Sequence, residues 1–489
     1  MAQTVELKGD QVRIGIARIG GLPVFWEACR GACADPGSRR TAILSEAGDG
    51  NTLRWAAPGN ADLEATMRGA EYLVEVNRDA GRITVTLRSR EPVGGRVLSH
   101  RYALNRAGHV LHGDIDLPTG VTLELAAGSS FVPELLPGFG AIYGSVRSVI
   151  VSPAGQQTLE PQTGETLEPG VAAGDWAGIR NRFWTWLARS ADSPLAVAAS
   201  LPGVNRPALS FRAGPGDSRL VIDVYGGPVS EDALTSGGAT LTGMLFAALW
   251  AWLRALCFGL LFLLTAIDRV VGNAGISIIL LSLSVKILMW PLTRVADRWQ
   301  ADVNRTQAML QPRLDAIKRE YKGEEAHNRV LRVYREQGVN PMYTLKSLAG
   351  FLIQIPVFIA AFDMLGENFA LHATSFLWID DLAKPDRLVP LPFTLPFFGG
   401  HLNLLPFLMT GFTVLASMLQ TDPALTPKLL RQQRLRLYLM AAAFFVLFYT
   451  FPAGMVLYWT TNNVLHLIKL QFATLFTKRV STGEEQDGP

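Results

Sequence analysis

The chain has 489 residues, 49% of them hydrophobic and only 18% charged, with a formal net charge of +3. That is too apolar for an ordinary soluble protein of this size and too charged for one embedded in lipid throughout, so two regimes are expected, and the charge excess is too small to point to nucleic acid. Cys29, Cys33 and Cys257 supply no metal site; Cys29 and Cys33 are either a loop disulfide of an extracytoplasmic domain or two free thiols.

Residues 1 to about 240 are rich in Gly, Pro, Thr and Arg and contain no long apolar run. In "YLVEVNRDAGRITVTLRS" apolar and polar residues alternate on both sides of an Asp79-Ala80-Gly81 turn, with Ile83, Val85 and Leu87 on one face and Thr84 and Thr86 on the other, which predicts a hairpin. Similar short runs recur at "QVRIGIAR", "HVLHGDIDL", "VTLELAAGS", "VRSVIVS", "PLAVAAS" and "RLVIDVYGG", and one helix-like piece stands at "AGIRNRFWTWLARS". Many short strands at this spacing predict a large antiparallel sandwich. His100, His109 and His112 read as surface or strand-face residues, because no cysteine or carboxylate cluster completes a metal site around them.

The second half is predicted to be membrane-embedded. "GMLFAALWAWLRALCFGLLFLLTAI", residues 243–267, is long enough to span and is interrupted only by Arg254. If it crosses, the chain has six spans and a cytoplasmic β domain; if it lies on the membrane surface, five spans remain. Those five are the apolar runs at 276–292 and about 347–365, 403–419, 437–451 and 453–470, several near or below the ~17 residues needed to cross a ~30 Å hydrocarbon core, which implies a thinned bilayer. Basic residues from Arg294 to Arg335 fill the first loop, and Lys428, Arg431, Arg434 and Arg436 the third. The loop at 367–400 carries Lys384 and Arg387 against Glu367, Asp380, Asp381 and Asp386. The positive-inside rule then makes the first and third loops cytoplasmic, the β domain external and the C-terminus internal. The opening "MAQTVELKGDQV" shows neither a signal peptide nor an anchor that would export the β domain.

Lys286 is the only ionisable residue in the run 276–292, where a charge costs roughly 2.5 to 3.5 kcal/mol near the centre of a span. It lies eight residues from Arg294, about 12 Å along a helix, so snorkelling is one reading. The other is a hydrated cavity, for which the polar company argues. Ser282 and Thr293 share its helical face, and Gln354 lies equally deep, eight residues in from Lys346. Thr410, Thr413, Ser417 and Gln420 share a face near the inner end of their run, and "VLYWTTNNVLHLIKL" gathers Tyr458, Trp459, Thr460, Thr461, Asn462, Asn463 and His466. Lipid satisfies none of these groups, so a cavity open toward the cytoplasm is the economical arrangement. The first cytoplasmic loop predicts a charged helical hairpin at 294–343, with an apolar stripe at Trp299, Val303, Leu310, Leu314, Ile317 and Tyr321, a "KGEE" turn, and a kink or restart at Pro312.

The series "VVGNAGISIILL", "KILMWPLT", "MLQPRLDAIKREY", "VNPM", "FLIQIPVFIAAFDML", "FLWIDDLAKPDR" and "FPAGMVLYWTTNNV", in order over about 243–475, resembles the YidC family of membrane protein insertases. The first half is more weakly similar to the periplasmic domain of Gram-negative members, a β-supersandwich related to sugar mutarotases. The resemblance implies a membrane α-helical bundle, the five-helix insertase core, preceded by an all-β periplasmic supersandwich. Its parts are the β domain at 1–240, an interfacial amphipathic helix at 241–270, a five-span core at 271–477 and a short cytoplasmic tail at 478–489. It places Lys286 where the family usually has an arginine in a hydrophilic groove, keeping the charge without the planar guanidinium fork. Ser282 corresponds to the family's groove serine or threonine, Gln354 to its glutamine, and Tyr458 and Trp459 to its aromatic pair, with Asn462 as a further groove residue.

Three departures from the family pattern stand out: no first anchoring helix, a longer stretch in "NPMYTLKSLAGFLIQ", and a short acidic tail, "RVSTGEEQDGP", in place of a long basic ribosome-binding one. The implied function is insertion and folding of newly made inner-membrane proteins, alone or with the Sec translocon, with no enzyme activity, cofactor, metal or nucleic-acid site. Implied partners are nascent membrane proteins, the ribosome transiently, Sec translocon components, the signal recognition particle pathway and the lipid bilayer. The implied location is the bacterial inner membrane. In such a groove Lys286 would attract an acidic flank by ~4 kcal/mol at 4 Å in an effective dielectric of 20, before desolvation. A transporter is a rival reading that would call for inverted repeats or broken helices. A membrane-anchored carbohydrate-active enzyme would call for a histidine and a carboxylate in a sugar-sized pocket.

Overall fold

The computed structural model describes residues 3–45, 50–213, 218–340, 342, 349–419 and 427–484, side chains at 349–351 and 472–484 excepted. Lys346 and Gln420 lie outside the described residues. There are two compact units, Met1–Leu136 with Gly140–Ala248, and Pro137–Phe139 with Leu249–Pro489.

The first unit is a large all-β structure. Its main sheet has nine antiparallel strands in the spatial order Gly155–Leu159, Arg147–Ser152, Trp176–Arg180, Trp184–Arg189, Arg219–Pro228, Val110–Asp116, Ser99–Asn105, Arg82–Ser89 and Tyr72–Arg78. A six-stranded sheet is built around Leu195–Gly203, Arg206–Arg212, Thr122–Ala126 and Thr52–Ala56. A four-stranded meander runs from Thr4–Lys8 to Arg39–Leu44. Trp26, Tyr102, Leu123, Trp186 and Ile222 meet in the interior, all but inaccessible to solvent. Two short helices, α1 (Ala61–Gly69) and α2 (Glu231–Ser236), complete the unit.

The expected hairpin forms with Tyr72 opposite Ser89 and Arg78 opposite Ile83, and Ile83, Val85 and Leu87 are buried. The helix-like piece is corrected: "AGIRNRFWTWLARS" is a second hairpin, Trp176–Arg180 paired with Trp184–Arg189. Both strands are covered on both faces, which removes the period-two alternation that identifies a strand. Asn181 makes the turn, its Oδ1 accepting from the backbone N–H groups of Phe183 and Trp184 while Nδ2 donates to Phe131 O.

His100 and His109 are buried rather than at the surface, and burial pushes each imidazole down to about 4. His100 Nε2 lies 2.9 Å from the Tyr72 hydroxyl. The half-exposed His112 is hydrogen-bonded to Asp223, whose other oxygen is paired with Arg189, so this histidine and carboxylate belong to a polar strand face. Cys29 and Cys33 are joined in a disulfide, and Cys257 is free and buried.

The second unit is helical: α3 (Ala251–Val271), α4 (Ala274–Glu320), α5 (Gly323–Glu336), α6 (Ala349–Glu367), α7 (Leu404–Leu419), α8 (Pro427–Phe448) and α9 (Ala453–Glu484). α3 packs on α4 and α6, α9 on α4, α6 and α7, and α7 on α8. Among the described residues α3 and α4 are long and apolar enough to cross a membrane, and α7 is a shorter apolar helix. α3 buries Leu253, Cys257, Leu260 and Leu264, spaced three or four apart, on one stripe.

The sequence "GNAG" explains the tight joint between α3 and α4. Gly272 ends α3 in the left-handed region at φ 65°, and Asn273 caps α4 by accepting from Ile276 N. Gly275 leaves room for the Phe376 ring, since a Cβ there would stand 2.1 Å from it.

α4 runs as one helix through Pro291 and Pro312, about 70 Å at 1.5 Å per residue, so the helix does not restart at Pro312. Leu310, Leu314 and Ile317 pack against Val330, Val333 and Tyr334 of α5, clamping the turns on either side of that proline. Trp299 departs from the expected stripe and is exposed, whereas Tyr321 lies under the Arg329 guanidinium at 3.6 Å. The carboxylates between α6 and α7 are structural. Asp386 is buried and accepts from Leu404 N, Leu405 N and Trp378 Nε1, capping α7, and Asp381 accepts from Ala373 N and Ala383 N.

Candidate functional site

Three helices enclose a polar cavity of about 370 Å³. α4 contributes Lys286, Thr293 and Asp297, at i, i+7 and i+11 and therefore on one face; α6 contributes Gln354 and Phe358; and α9 contributes Tyr458, Trp459, Asn462, His466 and Lys469. Five of the six residues singled out from the sequence thus line one space. Lys286 Nζ donates to the backbone carbonyl of Asn462 at 2.8 Å, using the second lone pair of a helical carbonyl. The ammonium is half-buried, and the Asn462 side chain turns back along its own helix to Tyr458 O.

Ser282 is the exception and a correction. It is fully buried, does not line the cavity, and its hydroxyl donates to Tyr458 O at 3.4 Å. Its spacing of one turn before Lys286 was read correctly, but at that level α4 and α9 are in close contact and leave no open space. Ser282 is therefore a tie between the helices that carry Lys286 and the aromatic pair.

Trp459 sits in an aromatic cluster, 4.7 Å from Phe358, 5.4 Å from Phe444 and 5.8 Å from Phe448 between ring centres. One edge of the cavity is thereby apolar and the other charged. Several other polar residues of the apolar runs bond within or between the helices, and of these Asn463 also lines the cavity. Thr460 and Thr461 bond back to Val456 O and Leu457 O, and Asn463 Nδ2 donates to Met409 O and Thr413 Oγ1, tying α9 to α7. Thr410, Thr413 and Ser417 do not line the cavity.

Asp297 and Phe358 were missed from the sequence. Phe358 lies one turn after Gln354, and Asp297 falls on the Lys286 face; only helical phase, continued past Arg294, could have found the aspartate. Asp297 pairs with Lys469 at 2.7 Å, so two lysines face one carboxylate and the cavity is net positive.

Residues 266–479 match the family model described as 60Kd inner membrane protein. The membrane protein insertase YidC of Syntrophobacter fumaroxidans is 37% identical over 221 residues, 45% of this chain and 37% of that protein. That of Thiobacillus denitrificans is 29% identical over 316 residues, 63% of this chain and 53% of that protein. The chain thus spans about half or less of the length of these relatives. The crystal structure of YidC from Thermotoga maritima aligns over 96% of this chain and 97% of its own at 12% identity, with a TM-score of 0.29, too loose a superposition for any geometric comparison. The helical half of this chain, which contains the whole cavity, is thus similar to the 60Kd inner membrane protein family model and to the YidC membrane protein insertases.

Proposed function

We propose that this chain is an insertase and chaperone for newly made inner-membrane proteins, working through the cavity between α4, α6 and α9. The observation that carries the reading is the half-buried Lys286 ammonium facing a polar space of about 370 Å³ within otherwise apolar helices. Such a cation marks a path for polar groups through lipid. The name of the matched relatives, membrane protein insertase, points the same way.

In this reading the first part of α4 together with α6, α7, α8 and α9 makes five crossings, and α3 lies at the interface, with Trp250, Trp252 and Arg254 at its start. The basic loops face the cytoplasm and the β unit faces the periplasm. The Cys29–Cys33 disulfide supports an oxidising compartment for that unit. A substrate's polar flank enters the cavity, where Lys286 attracts its carboxylates. Gln354 offers hydrogen bonds, and the apolar segment slides along Tyr458 and Trp459 into lipid, its partition driving the step. Asn462 holds Lys286 through its carbonyl, and Ser282 positions α9. The substrates are nascent membrane proteins delivered by the ribosome, with the signal recognition particle pathway and the Sec translocon as cooperating partners.

A photo-crosslinking amino acid at Trp459, and separately at Gln354, tests the reading with a ribosome-stalled single-span protein in membranes containing each variant. Crosslinks from both positions to the nascent apolar segment are expected. Their absence in folded, membrane-inserted variants would overturn it.

A further inference from the structure

Among the described residues, Asp297 is the one carboxylate lining the cavity. It stands three helical turns beyond Lys286 on the same face of α4, about 16 Å away at 1.5 Å per residue. Its Oδ2 accepts from Lys469 Nζ at 2.7 Å, and both side chains remain at least half exposed, at 61% and 50%. Lys469 is seven residues, two turns, past Asn462, whose carbonyl holds Lys286. Among the described residues, the charged and titratable groups facing this space are Lys286, Lys469, His466, Tyr458 and Asp297.

An exposed ion pair of this kind adds little to stability, so its place at the mouth of a cationic cavity is the more informative feature. Any acidic segment entering from this end meets Lys469 first, and finds it already occupied. We infer that Asp297 is a specificity-determining residue: a resident carboxylate that competes with acidic substrate flanks for Lys469 and so narrows the preference of the cavity for negative charge. This rests on the insertase reading above. The strength of exposed pairs sets the competition at about 1.4- to 5-fold, and salt weakens it.

The test uses the full chain in proteoliposomes, with two stalled nascent chains that differ only in carrying Asp or Asn in the flank before the apolar segment. The readout is the ratio of acidic to neutral flank crosslinked from Trp459. Asp297→Asn raises this ratio by about 1.4- to 5-fold and Asp297→Lys raises it further, whereas Lys469→Asp lowers it below the parent. The swapped double variant, Asp297→Lys with Lys469→Asp, keeps one charge of each sign at the mouth and returns the ratio to the parental value. That return separates a charge effect from a folding defect. A ratio that stays constant across the series, while the parent crosslinks both chains, overturns this inference and leaves the insertase reading intact. No crosslink to either chain in the parent overturns both.

Discussion

Replacing Lys286 with Met separates what the ammonium does for the fold from what it does for a substrate. In the fold, the variant loses one charge-assisted hydrogen bond to Asn462 O, worth about 1.5 to 3 kcal/mol. In the insertase reading it also sheds a charge, whose placement near the centre of a span costs roughly 2.5 to 3.5 kcal/mol. These oppose each other and nearly cancel, so the thermal midpoint in detergent is expected to move by only a few degrees. For a substrate the terms do not cancel. A carboxylate about 4 Å from Lys286 gains ~4 kcal/mol at an effective dielectric of 20, and about half of that surviving desolvation corresponds to roughly a 30-fold loss in the variant. The assay is protease protection of a single-span protein translated in the presence of proteoliposomes, with two flank aspartates or their asparagine counterparts. The acidic flank should lose insertion by tenfold or more while the neutral flank changes by less than about threefold, and Lys286→Arg should restore both. Equal loss for the two flanks, with the midpoint unchanged, would refute an electrostatic role for this side chain.

Burial holds His100 and His109 near 4, below the ordinary value of 6.5, so the unfolded chain binds protons first as the pH falls, and stability present above pH 6.5 is lost toward pH 4. Each histidine accounts for about 1.5 kcal/mol of loss between pH 6.5 and 5, and His100→Phe should remove roughly half of the slope when the urea midpoint is followed by tryptophan fluorescence. Asn181→Ala removes three hydrogen bonds at the Trp176–Arg189 hairpin turn and should cost about 3 kcal/mol in the same titration. The Cys29–Cys33 bond closes a loop with a sequence separation of only 4, so chain entropy predicts that reducing it costs only about 2 kcal/mol, read as a lower midpoint in dithiothreitol.

The half-buried strands were legible because one face meets water. Ile83, Val85 and Leu87 alternate with Thr84 and Thr86, and that register survives in the structure. The hairpin at 176–189 was not legible, because strands covered on both faces have no alternation to read and Phe183, Trp184 and Leu187 would share one face of a helix. In the helical unit, polar residues stood out against apolar runs, and most of those flagged around Lys286 do share one space. Ser282 was misjudged because helical phase fixes a direction but not the distance to the neighbouring helix. Asp297 escaped notice because it sits among the basic residues of a loop-like stretch, where nothing local shows that α4 continues unbroken beneath them.

That continuity has a mechanical meaning. Lys286 and the α4 side of the apolar clamp, Leu310 and Leu314, lie on one helix, and between Lys286 and Leu310 the only missing backbone bond is the one at Pro291. A force that tips the hairpin is transmitted as leverage to the wall of the cavity. The proline lies only five residues beyond Lys286, so the arm is long on the hairpin side and short on the cavity side, and a displacement of several ångströms at the tip is geared down to a fraction of one at the ammonium.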